Sequence, residues 1–174
     1  MEKSPNIELR LVEESDADLI FSWENNREVW PVTGTRYEYS LLDIHTYIEQ
    51  SQNINEFGQI RFIIVDSDSK KSIGTIDLYD YSIDNKRAAV GVLIAEKEYR
   101  GKGCAKQAVE LIEKYASETL DLYNIYCSVQ SNNLPSLALF DSCKFKRVGL
   151  REKWYRIDGE LMDEILFQKW LKKD

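Results

Sequence analysis

The stretch Tyr99-Arg100-Gly101-Lys102-Gly103-Cys104-Ala105 constrains this chain more than any other. Before it runs the apolar segment Ala88-Ala89-Val90-Gly91-Val92-Leu93-Ile94, which reads as a strand. After it, Ala105, Ala108, Val109, Ile112 and Ala116 recur at helical spacing, so a strand must turn sharply into a long helix here. Two glycines let the backbone approach a ligand closely and take angles other residues avoid. The helix that starts there aims its unbonded N–H groups and the positive end of its dipole back at the strand. The result is an anion cradle, to which Arg100 and Lys102 add charge suited to phosphates. It is not a Walker loop, and Ala105-Lys106 stand where G-x-G-x-x-G would need a later glycine. Taken alone, the stretch also reads as an ordinary glycine-rich turn.

Around the turn the pattern predicts a single domain over residues 1–174, with no repeat and no Pro/Gly/Ser linker. Ile7, Leu9 and Leu11 alternate as a first strand. Ser15 is expected to cap a helix with Leu19, Ile20 and Trp23 on its apolar stripe. Residues 28–39 read as irregular, with Pro31 and Gly34 as breakers, and Ser40 and Asp43 open a second helix carrying Leu41, Ile44 and Ile48. Gln59–Asp66, Ser72–Tyr81 and Arg87–Ala95 form an antiparallel meander. A helix over residues 103–118, a strand Leu122–Gln130 and a short helix Leu134–Cys143 follow. Strands Lys146–Arg156 and Glu160–Lys169 close the chain around the hairpin signal Asp158-Gly159. The order β-α-α-β-β-β-α-β-α-β-β is α/β (α+β): a mixed, mostly antiparallel sheet of about seven strands with helices on both faces.

Composition narrows the function. The net charge of −7 argues against nucleic acid, which wants a basic stripe, and is compatible with a cationic partner. Met1 to Asn6 is short and polar and no apolar run approaches membrane-spanning length, so a soluble, cytoplasmic protein without membrane association is expected. Three scattered cysteines and the single His45 offer no metal set. Cys104, Cys127 and Cys143 read as free thiols filling apolar space in a reducing compartment.

Arg100-x-x-Gly103-x-Ala105 resembles the pyrophosphate-binding [RQ]-x-x-G-x-[GA] loop of the GNAT acetyltransferases. Downstream, Asn133-x-x-Ser136-x-x-Leu139-Phe140, then Phe145, is similar to that family's second signature, N-x-x-S-x-x-L-Y…G-F, about thirty residues on as the family places it. The two motifs together cover roughly residues 70–150. Trp23-Glu24-Asn25-Asn26-Arg27-Glu28-Val29-Trp30 and the Gly149-Leu150-Arg151-Glu152…Asp158-Gly159 hairpin resemble the branch holding ribosomal-protein N-terminal acetyltransferases and spermidine acetyltransferases.

The resemblance implies the GNAT fold, acetyl-CoA as co-substrate without a metal, and direct attack of a primary amine on the acetyl carbonyl. It implies that backbone groups of Val92, Leu93 and Ile94, with Ala95 at the exit, bind the pantetheine arm in a gap beside the fifth strand. Arg100, Gly101, Lys102, Gly103, Cys104 and Ala105 would hold the diphosphate. Asn133 would contact the cofactor arm, although with Pro135 it also reads as a helix N-cap, and Ser136 and Phe140 complete the signature. Two departures stand out. Phe140 replaces a Tyr that can protonate the leaving thiolate, and Ala89 replaces a Glu that serves as base. Asp77, Asp80, Glu24 and Glu28 are substitutes for the base, and Tyr79, Tyr81, Tyr126, Ser142 or Cys143 for the donor; solvation or packing is the ordinary role of each. His45 reads as packed or solvent-facing. Trp23 and Trp30, with Tyr37 and Tyr39, could line an acceptor pocket. The acceptor is a peptide α-amine or a small amine, with spermidine-like molecules as the alternative. A catalytically silent acyl-CoA-binding module and a nucleotide-binding domain of another family are the competing classes. A homodimer or larger homo-oligomer is also implied.

Overall fold

The computed structural model describes residues 5–157 and 159–172. Strand β1 (Ile7–Leu11) leads into helices α1 (Ala17–Glu24), α2 (Trp30–Thr33), α3 (Leu41–Glu49) and α4 (Ile54–Phe57). Then come β2 (Ile60–Asp66), β3 (Ser72–Ser82), β4 (Arg87–Ile94), α5 (Cys104–Glu118), β5 (Asn124–Gln130), α6 (Leu134–Ser142), β6 (Lys146–Ile157) and β7 (Glu160–Trp170). The strands form one sheet in the order β1-β2-β3-β4-β5-β7-β6, antiparallel except for β4 and β5. The anticipated mixed sheet with helices on both faces is thus observed.

Strand alternation sorts the core into two layers. Ile64, Ile76, Leu78, Val90, Ile125, Cys127, Val129 and Phe167 meet Ala108, Val109 and Ile112 of α5 and Leu137 and Phe140 of α6. On the opposite face Ile63 and Val65 meet Ile20 and Trp23 of α1 and Ile44 and Ile48 of α3. Each Val, Leu, Ile or Phe side chain buried in this way contributes roughly 1.5–3 kcal/mol of transfer free energy. Among the described residues, that second layer includes none from β5, β6 or β7. There the same face carries Tyr126, Ser128, Gln130 and Glu164, which alternate with core residues.

Four local expectations need correction. Ser15 does not cap α1. Asp16, drawn inward by a 2.6 Å bond from Arg10, accepts from the Glu13 amide at 2.9 Å, and α1 starts only after this turn. Residues 28–39 are not wholly irregular, because Pro31 sits in the first turn of α2, where its missing N–H costs nothing, and Gly34 closes α2 at φ 74°. Helix α4 also went unanticipated; Asn53 caps it and Gly58 ends it at φ 71°. Leu41 lies on the solvent side of α3, 40% exposed, while Ile44 and Ile48 are buried. Asp158 of the expected hairpin signal lies outside the described residues, but β6 and β7 do pair antiparallel from Ile157↔Glu160.

Gly74 holds β3 tightly against the end of β4. A Cβ there would sit 2.0 Å from the Leu93 carbonyl oxygen, so no other residue fits this approach.

Candidate active site

The turn after β4 is held by three side-chain bonds. Tyr99 Oη donates to Asp66 Oδ2 at 3.0 Å, tying the turn to the end of β2. Arg100 donates from Nε to the Ile94 carbonyl and from Nη2 to the Ala95 carbonyl, both at 2.9 Å. The guanidinium thus closes the carbonyls left over where β4 ends, while Arg100 still lines the cleft that opens behind the turn. Gly101 (φ 73°) and Gly103 (φ 83°) both take left-handed backbone, which a branched residue adopts only under strain. Gln107 donates to the Gly103 carbonyl at 3.1 Å, so the amides of Cys104, Ala105 and Lys106 precede the first in-helix bond and lack an acceptor inside α5. The anion cradle is made of main chain.

Immediately behind it the sheet parts. Strands β4 and β5 pair only at Arg87↔Asn124, Ala88↔Ile125 and Ala89↔Tyr126. Beyond Ala89, β4 continues against β3, with Asp77↔Gly91 through Gly74↔Ile94, while β5 stays with β7 out to Gln130↔Glu164. The edge of β4 from Val90 to Ile94 thus has no ladder partner on its β5 side among the described residues. The gap opens into a cleft of about 1210 Å³. Val92, Leu93, Ile94, Arg100, Gly101, Gly103, Cys104, Ala105, Asn133, Ser136 and Phe140 line it, which brings most of the anticipated cofactor residues together. Ala95 and Lys102 are not among the lining residues; Ala95 packs against the α1/α3 layer. Asn133 caps α6, its Oδ1 accepting from the Ser136 amide at 3.2 Å, so its N-cap role is real while its amide still faces the cleft lining. Phe140 is core as well as wall, packed edge-on to Phe145 at 5.1 Å.

The far end of the cleft rests on Arg61, which the sequence pattern did not single out. It is buried, and its guanidinium donates to both oxygens of Asp77 (2.6 and 3.0 Å) and to Glu24 Oε1 (3.0 Å) while lying 4.4 Å over the Tyr47 ring. Burial pulls the guanidinium pKa down, but Asp77, Tyr47 and Glu24 lift it well above its usual value. Burial, then Asp77, pushes the Tyr47 phenol up to about 12. Both Asp77 oxygens thus accept from Arg61, whereas Glu24 is engaged through Oε1 alone. Glu28 is exposed and pairs with Lys97 at 2.6 Å, a bond that holds its carboxyl below the usual range. Tyr79 lines the cleft, and burial raises its phenol, keeping it protonated near neutrality.

A buried acid that sequence reasoning missed lies on β7, the register partner of cleft-lining Gln130. Glu164, 2% exposed, accepts from Tyr155 Oη at 2.5 Å and pairs with Arg151. Burial would raise its carboxyl, but bonds from Tyr155, Ser128 and Arg151 outweigh that and hold it low. Tyr155, itself pushed up to about 12 by burial and then by Glu164, lines the cleft.

The remaining candidates fall elsewhere. Tyr126 bonds Asp80, and both line a separate cavity of about 660 Å³. Tyr81 packs against the α5/α6 core. Ser142 lines the cleft but donates to the Leu139 carbonyl at 2.7 Å. Burial raises the Cys143 thiol, and all three cysteines are buried and unbridged. His45 pairs with Glu14, outside the cleft lining. Of the expected aromatic wall only Tyr39 reaches the cleft. Trp23 is core and donates to Glu96, Trp30 donates to the Glu24 carbonyl, and Tyr37 is 68% exposed. Asn25 instead shapes that wall from behind, bonding both the amide and the carbonyl of Tyr39 at 2.8 and 3.0 Å. No group of three or more potential metal ligands comes together among the described residues, and no described helix is long and apolar enough to cross a membrane.

A sheet that splays behind an amide-lined turn, with a mainly apolar cleft in the gap, forms a scaffold that can hold an extended anionic ligand. Residues 6–146 match the family described as acetyltransferase (GNAT) domain, and the chain belongs to that family. It is an N-acetyltransferase, as are its relatives. The uncharacterized N-acetyltransferase p20 of Bacillus licheniformis is 28% identical over 160 residues, covering 91% of this chain and 89% of that protein. The spermidine N(1)-acetyltransferase of Escherichia coli K12 is 26% identical over 168 residues, covering 95% and 81%. Among solved structures, spermidine N-acetyltransferase from Vibrio cholerae in complex with CoA and spermine shares the fold at TM-score 0.85 and 23% identity, covering 95% of each chain. Ribosomal-protein-S5-alanine acetyltransferase from Vibrio fischeri does so at 0.81 and 23%, covering 94% and 92%.

Proposed function

We propose that this chain transfers the acetyl group of acetyl-CoA to a primary amine by direct attack, so that R–NH2 and the thioester give R–NH–acetyl and free CoA thiol. The observation that carries the reading is the parting of β4 and β5 directly behind the amide cradle. The unpaired edge at Val92, Leu93 and Ile94 offers main-chain partners to an extended amide-bearing arm. The amides of residues 101–105 suit a diphosphate. Asn133 and Ser136 lie at the α6 side, with Phe140 as apolar wall. Acetyl-CoA fits these residues and supplies the activated acyl group.

The amine arrives protonated near neutrality, since such groups have a pKa of about 10.4, and must shed a proton before attack. Glu24, anchored by Arg61 through one oxygen only, is our choice to receive it, directly or through water. Tyr79, whose phenol lines the cleft, is our choice to return a proton to the departing thiolate. A narrower reading, a diamine or spermidine-like acceptor, is favoured by the carboxylates of the cleft. Glu24, Asp43 and Asp77 line it around a single Arg61, and Glu28, paired with Lys97, adds a fourth. A peptide α-amine is the companion reading. We further propose a cytoplasmic homo-oligomer, in keeping with buried free thiols.

Thiol release from acetyl-CoA over a panel of polyamines, amino sugars, aminoglycosides and N-terminal peptides tests the reading. Steady turnover with a primary amine, and none with its N,N-dimethylated form, is expected. CoA binding without turnover across the panel would contradict it.

A further inference from the structure

Gln130 ends β5 beside Glu164, its register partner on β7. Its neighbours Cys127 and Val129 point into the α5/α6 core, so Gln130 projects from the opposite face, the one that carries Asp77 and Tyr79. It lines the cleft at the point where β5 has left β4. Its Oε1 is buried and has no hydrogen-bond partner, the one such side-chain atom among the described residues.

That orphan contrasts with its surroundings. Glu164 is saturated by Tyr155 and Arg151, Asn133 Oδ1 holds the Ser136 amide, and Arg61 is spent on Asp77 and Glu24. A buried carbonyl without a donor costs stability, and native proteins seldom keep one without a use. A group that satisfies it must bring an N–H or O–H donor into the cleft. Two reactants do: the amine acceptor, and the amides in the pantetheine arm of acetyl-CoA. The sheet face decides between them. The amide cradle opens α5, which packs on the other face, whereas Gln130 shares its face with the carboxylates at the acceptor end.

We propose that Gln130 Oε1 accepts a hydrogen bond from the reacting amine, making Gln130 an orienting and specificity-determining residue; this rests on the amine-transfer reading above. A neutral primary amine has two N–H bonds and one lone pair. An amide carbonyl engages one N–H without removing its proton, because an amide is no base near neutrality, and so turns the lone pair toward the thioester carbon. As the N–C bond forms, nitrogen becomes positive and its N–H a stronger donor, so the bond to Gln130 tightens on the way to the transition state. The proton then leaves to a separate base, the C–S bond breaks, and the thiolate is protonated elsewhere. Gln130 exchanges no proton.

Gln130→Met keeps the volume and removes the acceptor. With spermidine and an alanine-initiated peptide as probes, kcat/KM for the amine should fall about tenfold to a hundredfold, mainly in kcat. CoA affinity by calorimetry without amine should stay within about twofold. The melting temperature should hold or rise, since the variant no longer buries an unpaired carbonyl. Unchanged amine kinetics would overturn the proposal. So would lost CoA affinity with intact amine kinetics, which would hand the bond to the pantetheine arm, and so would a lowered melting temperature, which would mark a structural role. Absence of thiol release by the wild type across the whole amine panel would strike the transfer reading and this inference together. Wild-type turnover matched by the variant would strike this inference alone.

Discussion

At the mouth of α5 the cleft is built of main chain, and at its other end of buried charge. The cradle needs two positive-φ glycines, three helix amides and one arginine that closes a strand end, all contributed by residues 94–107. The acceptor end needs Arg61 from β2, Asp77 from β3, Glu24 from α1 and Tyr47 from α3, brought together only by folding. A local site can lose its ligand without losing its fold. A site made of interlocked charges ties its chemistry to global stability.

The sharpest way to break that contrast is Arg61→Met. It leaves the Asp77 and Glu24 carboxylates, whose side chains are each 16% exposed, without their counter-ion. A loss of about 3–5 kcal/mol is expected, on the order of 10 °C in melting temperature, read by thermal unfolding. A variant as stable as the wild type would mean the ion pairs are dispensable. Gly103→Val should do the reverse. Strain at φ 83° costs roughly 1–3 kcal/mol, a few degrees of melting temperature, while CoA affinity drops on the order of a hundredfold by calorimetry.

The smallest effect is electrostatic and confined to the acceptor side. Tyr47 and Tyr155 are held at about 12, above the ordinary phenol, by burial first and by the Asp77 and Glu164 carboxylates next. A raised folded-state pKa contributes stability that is whole below the unfolded value and lost as pH climbs through the folded one. Urea midpoints should therefore decline between about pH 10 and 12, less steeply in a Tyr47→Phe, Tyr155→Phe double variant. Equal slopes would remove these phenols from the network.

The same contrast explains what could be read from the chain. Gly101, Gly103 and the Asn133-Pro135 cap act within one turn of their own position, so residue type and spacing expose them. Arg61 sits in a strand among isoleucines and shows no periodic sign of its partners. Glu164 and Tyr155 meet only because a bulged hairpin brings them together. Arg100 was legible as a residue, but its bonds to the Ile94 and Ala95 carbonyls were not, since those acceptors are set by where β4 ends. Trp30 and Trp23, candidates for an acceptor wall, are scaffolding, with indole N–H bonds to the Glu24 carbonyl and to Glu96. Pro31 misled in the other direction, as a helix tolerates it in the first turn.

The central claim is that a diphosphate-bearing thioester lies between the α5 turn and the open edge of β4. Hydrogen–deuterium exchange with and without CoA tests it most directly. The amides of residues 101–106 have no helix acceptor and those of residues 92–94 flank the parted strands, so both segments should gain protection together. Protection confined to any other part of the chain, with these two segments unchanged, would contradict the account.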